Sequence, residues 1–293
     1  MGARPIRQHY LDPDHATISI TIDPALAPNL APWHTHRARF ETTLRSFSAE
    51  DWLAPTRCDA WNVREVIGHL IVVDGFWAMT FANGRDGQEP TTFLRGFNPS
   101  NSTDDLVAAT LPLSADELLG QFSSGAAALA AVLDPLTTDQ WHHRMESPLG
   151  HLPMLCSAGH MFWDSWLHER DILEPMGAVL PVSGDELLAV TWFSFCFAGL
   201  QGGTLDDPNP IGDGPEAPID ATVSFDDLPD IALRVRIDSA IEISLAARGA
   251  DATPAGSAAE LVDACAGRAP LAAVLDRLPN DLAAQLGRAA LVL

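Results

Sequence analysis

The sequence predicts a mainly α-helical protein in which a helical bundle precedes a smaller α+β part. Apolar residues recur at the spacing of an amphipathic helix across most of residues 33–200, whereas between 221 and 245 they alternate with polar residues at the period of a strand. The 293 residues also exceed the roughly 100–150 of a typical single domain. We therefore predict four regions: an N-terminal extension at 1–30, a bundle at 31–200, a linker or loop at 201–218 and a small α+β domain at 219–293.

The N-terminal extension contains one predicted strand. Residues 16–23 alternate polar and apolar side chains, and three prolines follow at Pro24, Pro28 and Pro32. Such a segment could shield the edge of a sheet, close a pocket or mediate a contact, and the sequence leaves these alternatives open.

Four helices are predicted in the bundle, with an extended stretch at 141–155 before the last of them. The second begins at Asp59 or Asn62, since both are N-cap residues, and the third begins with an S-x-x-E capping box at 114–117. The fourth stops before Pro175. The four predicted ranges are 33–48, 62–83, 114–133 and 157–174.

A fifth predicted helix, at 184–200, is almost wholly apolar from Leu187 onward and should pack against the bundle or against a second domain. After the Gly-, Pro- and Asp-rich segment at 202–218 the period changes to that of strands. The predicted strands are 221–225, 231–237 and 240–245, and helical spacing returns at 257–266 and 270–289.

Composition excludes several classes of function. The formal charge is -22, with 39 acidic and 17 basic residues, which argues against binding to nucleic acid or to an anionic membrane surface. No apolar run approaches the roughly 18–20 residues of a membrane span, and the N-terminus does not have the order of a signal peptide. We therefore predict a soluble, cytoplasmic protein.

Lysine is absent, and this excludes Schiff-base chemistry, a pyridoxal phosphate anchor and a P-loop. Complete replacement of lysine by arginine is typical of a very GC-rich genome, so an actinobacterial source is expected. The cysteines have no CxxC spacing, which favours buried free thiols over a zinc ribbon or a disulfide framework. They are Cys58, Cys156, Cys196 and Cys265.

The segment 162–171 carries half of a predicted metal site. Asp164 and His168 stand four residues apart on the fourth helix, so their Cβ atoms should lie about 5–6 Å apart on one face. The best third ligand is His69, because it interrupts the apolar segment 66–70 and needs a polar partner there. Since bundle sites use the inward side chains of facing helices, the second and fourth helices should be neighbours.

Each of these residues has an ordinary structural alternative. His69 alone would more often be a hydrogen-bonded core histidine, and an Asp164/His168 pair alone would more often be a surface ion pair. Glu65, four residues before His69, offers a second possible helical pair. The three residues in this order favour a metal site over those alternatives.

Two segments resemble a known family. Residues 51–70, DWLAPTRCDAWNVREVIGHL, resemble the N-terminal signature of the mycothiol-dependent maleylpyruvate isomerase family, which belongs to the DinB-like metal-dependent four-helix bundles. Residues 258–270 resemble the apolar run followed by Gly-Arg in the C-terminal domain of that family. The resemblance implies a bundle that binds a divalent ion, usually zinc, and an α+β domain that helps to close the substrate site.

The resemblance also implies the ligands. His69 matches the first histidine of the family, and Asp164 and His168 match a pair that is usually glutamate and histidine. The shorter aspartate requires the ion to lie nearer the fourth helix or the ligand to act through a water. Because two histidines and one carboxylate also bind non-haem iron, Fe²⁺ or another divalent metal is the alternative to Zn²⁺.

In the family, the thiol partner is mycothiol. Its metal-held thiolate would add to the double bond of an unsaturated acid, the resulting single bond would rotate, and elimination would return the trans isomer. Addition without elimination would instead give a thiol transferase. The sequence does not distinguish these outcomes.

Further residues have predicted supporting roles. Asp171 would accept the second imidazole N–H of His168, or else form a cap or salt bridge. Arg268, by likeness to the Gly-Arg element, would bind a substrate carboxylate, or else act as a helix-end charge, with Arg234 and Arg236 as alternatives. His160 would line the cavity or be a partly buried histidine.

Three hypotheses for the function follow. The first is a zinc- and mycothiol-dependent isomerase or thiol transferase that acts on a small, carboxylated molecule. The second is a thiol-independent metal-dependent hydrolase, lyase or cyclase of a biosynthetic pathway. The third is a non-catalytic protein that binds a small molecule or regulates another process.

Overall fold

The structure is a computed structural model that describes residues 19–26, 29–94, 106–178, 180, 182–201, 218–238 and 240–289. The chain forms two compact units. We call residues 30–148 and 152–182 the bundle unit, and residues 1–29, 149–151 and 183–293 the sheet unit. Most of the predicted linker at 201–218, and the predicted extension before Ser19, lie outside the described residues.

Helices dominate the bundle unit, and the sheet unit holds most of the strands. The helices are α1 Ala31–Leu44, α2 Val63–Arg85, α3 Ala115–Leu133, α4 Met154–Leu173, α5 Gly184–Gln201, α6 Ala258–Cys265, α7 Leu271–Leu275 and α8 Asn280–Ala289. The strands are β1 Ser19–Ile22, β2 Arg144–Ser147, β3 Gly150–Pro153, β4 Ile219–Phe225, β5 Leu228–Ile237, β6 Ala240–Ala247 and β7 Thr253–Pro254. Short 3₁₀ turns lie at Asp51–Leu53 and Gln140–His142. The predicted fold class is confirmed.

The bundle unit is a four-helix bundle in which α1 and α2 each contact both α3 and α4. Helix α2 begins with a capping box, since Asn62 accepts a hydrogen bond from the Glu65 amide and Glu65 accepts one from the Asn62 amide. Glu65 therefore has a structural role, because its carboxylate caps the N-terminus of α2. Helix α3 begins with the predicted box between Ser114 and Glu117.

A buried apolar cluster holds the bundle together. Its residues recur at helical spacing on α1, α2 and α3, so the inward stripes of these helices interdigitate. The buried members are Phe40, Leu44, Trp52, Val63, Val66, Ile67, Leu70, Leu118, Phe122, Ile172 and Leu173. Val66, Ile67 and Leu70 surround His69 in sequence, so the core fixes the stretch of α2 that carries this histidine.

The sheet unit contains a five-stranded sheet in the order β1-β6-β5-β4-β7. Strands β4, β5 and β6 form an antiparallel meander, and β1 and β7 add in parallel at the two edges. Strand β1 pairs with β6 from Ser19 opposite Ala240 to Ile22 opposite Ile243. Of the alternatives predicted for the N-terminal segment, its described part therefore covers a sheet edge.

Helix α5 packs on this sheet and on α6 and α8, which is one of the two predicted alternatives for it. Its close approach depends on Gly199, because a Cβ atom there would lie 2.7 Å from Cδ1 of Ile241. The helical region predicted at 270–289 is two helices. Pro279 directly precedes α8, and proline disfavours a helical conformation in the residue before it, so α7 cannot continue into α8.

Among the described residues, α2 alone is long and apolar enough to cross a membrane when judged by length and composition. This is weak evidence for a membrane span, because the core helix of a bundle passes the same test. Helix α2 also carries the buried carboxylate Asp74, which pairs with Arg37 of α1.

The packing of Phe122 gives a test of the bundle core. Its ring is fully buried, meets the edge of Phe40 at 5.4 Å and lies 3.9 Å from the Arg37 guanidinium carbon. We expect Phe122→Ala to lower the free energy of unfolding by about 3–5 kcal/mol, measured by denaturant titration. The matched control is Phe93→Ala, since Phe93 is 75% exposed and its loss should change stability by less than about 0.5 kcal/mol. Equal effects of the two substitutions would contradict this account of the core.

Candidate metal centre

The structure brings the three predicted ligands together inside the bundle unit. The Nε2 atom of His69 on α2 lies 3.5 Å from Oδ2 of Asp164 on α4. The Nε2 atom of His168 lies 3.5 Å from Oδ1 of the same aspartate. The three ligand atoms lie within 4.8 Å of one another, and the two imidazole rings are 4.9 Å apart.

The spacing of these atoms fits a metal ion better than it fits direct hydrogen bonds. A hydrogen bond between nitrogen and oxygen is usually 2.7–3.2 Å long, and both contacts to Asp164 are longer. Two ligands on one tetrahedral zinc ion, with bonds of about 2.0–2.2 Å, are about 3.3–3.5 Å apart. Moreover, the buried Nε2 atom of His69 has no hydrogen-bond partner among the described residues. The donor set therefore fits a divalent ion.

Antiparallel packing of α2 against α4 creates this arrangement. His69 contacts His168, and Trp77, eight residues further along α2, contacts His160, eight residues back along α4. Each step of eight residues advances about 12 Å along its helix. Asp164 lies on the same face of α4, one turn from His168, and can therefore face both imidazoles. The ring of Trp61 also packs against His69, with the ring centroids 5.2 Å apart.

Asp171 orients His168 from behind. Its Oδ2 atom lies 3.0 Å from Nδ1 of His168 and also accepts a hydrogen bond of 3.2 Å from the Cys58 thiol. Its Oδ1 atom accepts a hydrogen bond of 3.0 Å from Nε of Arg57, and its main-chain carbonyl accepts one from the Arg57 amide. Because a carboxylate only accepts, Nδ1 of His168 carries a proton, and Nε2 is the ring nitrogen that faces Asp164. The predicted contact between Asp171 and His168 is present.

The ionised forms of both His168 and Asp164 are favoured at this centre. Burial alone would lower the pKa of His168, but Asp164 and Asp171 outweigh this effect and raise the pKa to about 10. Burial alone would raise the pKa of Asp164, but His168 and His69 hold that pKa well below its usual value. Without an ion, His168 therefore carries a proton that a metal must displace, and metal binding releases a proton.

His160 lies one turn before Asp164 on α4 and is close to two indole rings. Its ring is 5.5 Å from that of Trp77 and 6.3 Å from that of Trp163. Burial lowers its pKa to about 4, although the charge of Asp164 opposes this shift. At neutral pH, His160 is thus an uncharged group on the same face of α4 as the candidate ligands.

The arginines predicted to bind a carboxylate lie in the sheet unit. Arg268 follows α6, and its Nη1 atom donates a hydrogen bond of 2.9 Å to the carbonyl of Ala266. Arg234 forms a two-bond pair with Asp220, and Arg236 donates to Glu242 at 2.8 Å. These two pairs lie on the exposed side of the strands, where both partners are accessible to solvent. The role of Arg268 toward substrate stays a prediction.

Sequence reasoning missed a buried polar network on the side of α4 that faces α1. Arg37 donates to Oδ2 of Asp74 at 2.5 Å and to the Ser165 hydroxyl at 3.1 Å. The Glu169 carboxylate lies 3.1 Å from Nδ1 of His36 and accepts hydrogen bonds from Nε and Nη2 of Arg39. Charged residues within apolar helices were the available signal, because a buried charge needs a partner. Cys58 was also missed as a neighbour of the centre, although it lies within the 51–70 signature.

Asp74 gives a test of pH dependence. Burial raises its pKa to about 6, although Arg37 opposes the shift. The raised pKa means that ionised Asp74 is less favourable in the fold than in the unfolded chain. Wild-type protein should therefore lose stability relative to Asp74→Asn as pH rises from about 4 to about 6, by about 1.4 kcal/mol for each unit of the pKa shift, and no further above that range.

Denaturant titrations of both proteins across this pH range measure the difference. A difference that stays constant, or that moves in favour of the wild type as pH rises, would contradict the raised pKa.

Gly125 on α3 makes room for the Asp74 side chain, because a Cβ atom there would lie 3.0 Å from Oδ2 of Asp74.

Comparisons with known proteins agree with this architecture. Residues 33–173 match the model for the mycothiol maleylpyruvate isomerase N-terminal domain. No curated protein matches the chain. Two similar solved structures are mycothiol-dependent maleylpyruvate isomerase, with a TM-score of 0.52, and a histidine-to-alanine variant of it, with a TM-score of 0.53. Each is 16% identical, and each match covers 82% of this chain and 88% of the other, a likeness that shows the fold. The matched residues 33–173 hold all three candidate ligands, so the resemblance to the mycothiol maleylpyruvate isomerase N-terminal domain includes the candidate metal centre.

Proposed function

We propose that this protein is a divalent-metal-dependent enzyme that uses mycothiol and acts on a small, carboxylated molecule as an isomerase or thiol transferase. The observation that carries the proposal is the set of two 3.5 Å gaps around Asp164, each leading to an imidazole nitrogen. The match at residues 33–173 supports the thiol, because the matching family model is named for mycothiol. A cytoplasmic, actinobacterial setting is part of the proposal.

In this proposal His69, Asp164 and His168 hold the ion. Zinc is preferred and Fe²⁺ is the alternative, since two imidazoles and one carboxylate suit both. A bound ion of this kind supplies a Lewis acid that lowers the pKa of a thiol at its open position and so provides a thiolate nucleophile. Asp164 is 23% exposed, which leaves one side of the ligand set accessible to thiol and substrate.

The surrounding residues have positioning roles. Asp171 holds the proton on Nδ1 of His168 and so keeps Nε2 available as a ligand. Trp61 restricts the rotation of His69 by packing on its ring. Arg268 is proposed to bind the carboxylate of the substrate, since a guanidinium forms two parallel hydrogen bonds with a carboxylate.

Metal content tests the ligand assignment. We expect the purified protein to contain about one divalent ion per chain, and His69→Ala and His168→Ala to lose most of it, by elemental analysis after dialysis. The matched control is His142→Ala, because His142 is exposed in the 3₁₀ turn at Gln140–His142. Unchanged metal content in both variants would show that His69 and His168 are not metal ligands.

Mycothiol binding tests the proposed thiol partner. We expect calorimetry to detect binding to the metal-loaded protein and to lose the signal after the ion is removed by a chelator. If the ion binds but mycothiol does not, the thiol-independent hydrolase, lyase or cyclase becomes the better hypothesis. If the protein binds the ion and shows no turnover with thiols, unsaturated acids or esters, a binding or regulatory function is favoured.

A further inference from the structure

A second set of ligand atoms lies on the other side of the His168 imidazole. It consists of Sγ of Cys58, Nδ1 of His168 and Oδ2 of Asp171, which all lie within 4.8 Å of one another. The separations are 3.2 Å from Sγ to Oδ2, 3.0 Å from Nδ1 to Oδ2 and 3.8 Å from Sγ to Nδ1. We propose that this set is a second metal site, which takes soft, thiophilic divalent cations such as Cd²⁺ or zinc in excess.

The dimensions of the second set are close to those that a zinc ion requires. With metal–sulfur bonds of about 2.3 Å and metal–nitrogen or metal–oxygen bonds of about 2.0–2.1 Å, tetrahedral ligands are about 3.3–3.6 Å apart. The three observed separations scatter around that range. A zinc ion therefore needs shifts of a few tenths of an ångström at each side chain, within the freedom of their rotamers.

The donors of the second set differ from those of the first. The set based on His69 contains only nitrogen and oxygen, whereas the second contains a thiol, and thiolate sulfur selects soft cations. The second set is held together by hydrogen bonds, because the Cys58 thiol donates to Asp171 and Nδ1 of His168 lies at hydrogen-bond distance from the same oxygen. An ion must displace these two protons, so the second site is the weaker one.

Access and charge are compatible with this site. Cys58 is the partly exposed cysteine, while Cys156, Cys196 and Cys265 are buried. Arg57 donates to the other carboxylate oxygen of Asp171, Oδ1, and leaves Oδ2 directed at the set. The positive charge of Arg57 reduces the affinity for a cation, which again ranks this site below the first.

Binding of an ion at the second site would weaken metal binding at the first. A neutral imidazole offers one lone pair, so His168 can serve either the first set through Nε2 or the second through Nδ1. A soft ion beside Cys58 therefore removes a ligand from the first set. Its effect depends on a residue, Cys58, that takes no part in the first set.

Cadmium titration of the full chain, stripped of metal by a chelator, tests the proposal. We expect an ultraviolet thiolate-to-cadmium charge-transfer band in the wild type and its loss in Cys58→Ser. The band should persist in His69→Ala, which disrupts the first set alone. The His69→Ala variant separates this inference from the proposed function, because the second site can bind cadmium even if the first binds no metal.

Cys265→Ser is the matched control for loss of a thiol, because burial raises the pKa of Cys265 to about 12 and should keep it from forming a thiolate. Cd²⁺ should also protect Cys58 from alkylation by iodoacetamide in the wild-type protein, read by peptide mass spectrometry, which requires no folded variant. An absent band in the wild type, a band retained in Cys58→Ser, or unprotected Cys58 would overturn the proposal.

Discussion

The antiparallel packing of α2 on α4 is the constraint on which the rest of the centre depends. It brings His69 to His168 and Trp77 to His160 at matching steps along the two helices. Asp164 then lies between two imidazole nitrogens without any distortion of the backbone, because the spacing of four residues within α4 already places it beside His168. The capping box at Asn62 and the buried apolar residues of α2 fix where that helix starts and which face it turns inward.

Helix α4 carries charged or polar groups on two faces, and each face has its own partners. One face presents Asp164, His168 and Asp171 toward α2 and the segment that holds Arg57 and Cys58. The other presents Ser165 and Glu169 toward α1. In a chain without lysine, arginine supplies the cations for the buried carboxylates, and its fork lets one side chain bind two acceptors. The network stabilises α4 in one orientation, which keeps Asp164, His168 and Asp171 in place.

Much of the fold was predictable because the local signals agree with one another. Asn62 and the Ser114–Glu117 box mark helix starts, and the periods of the apolar residues separate the bundle from the meander. The helical spacing predicted at 270–289 is divided between α7 and α8, because the apolar period continues through Pro279 while the helical backbone does not. The network of Arg37, Asp74 and Glu169 was not predicted, since a sequence shows that a buried charge needs a partner but does not name that partner.

The sequence by itself determined the elements, the spacing of Asp164 and His168 and the candidacy of His69, because these follow from helix geometry and from the cost of an unpaired polar group. Only the tertiary structure decided the distances of 3.5 Å that separate Asp164 from each of the two imidazoles, a spacing that suits a divalent ion. It also decided that the carboxylate of Asp171 contacts His168, Arg57 and Cys58 at the same time. The contacts of Asp171 with Arg57 and Cys58 join residues 114 and 113 positions apart, and they are selected by how helices pack, which no local pattern encodes.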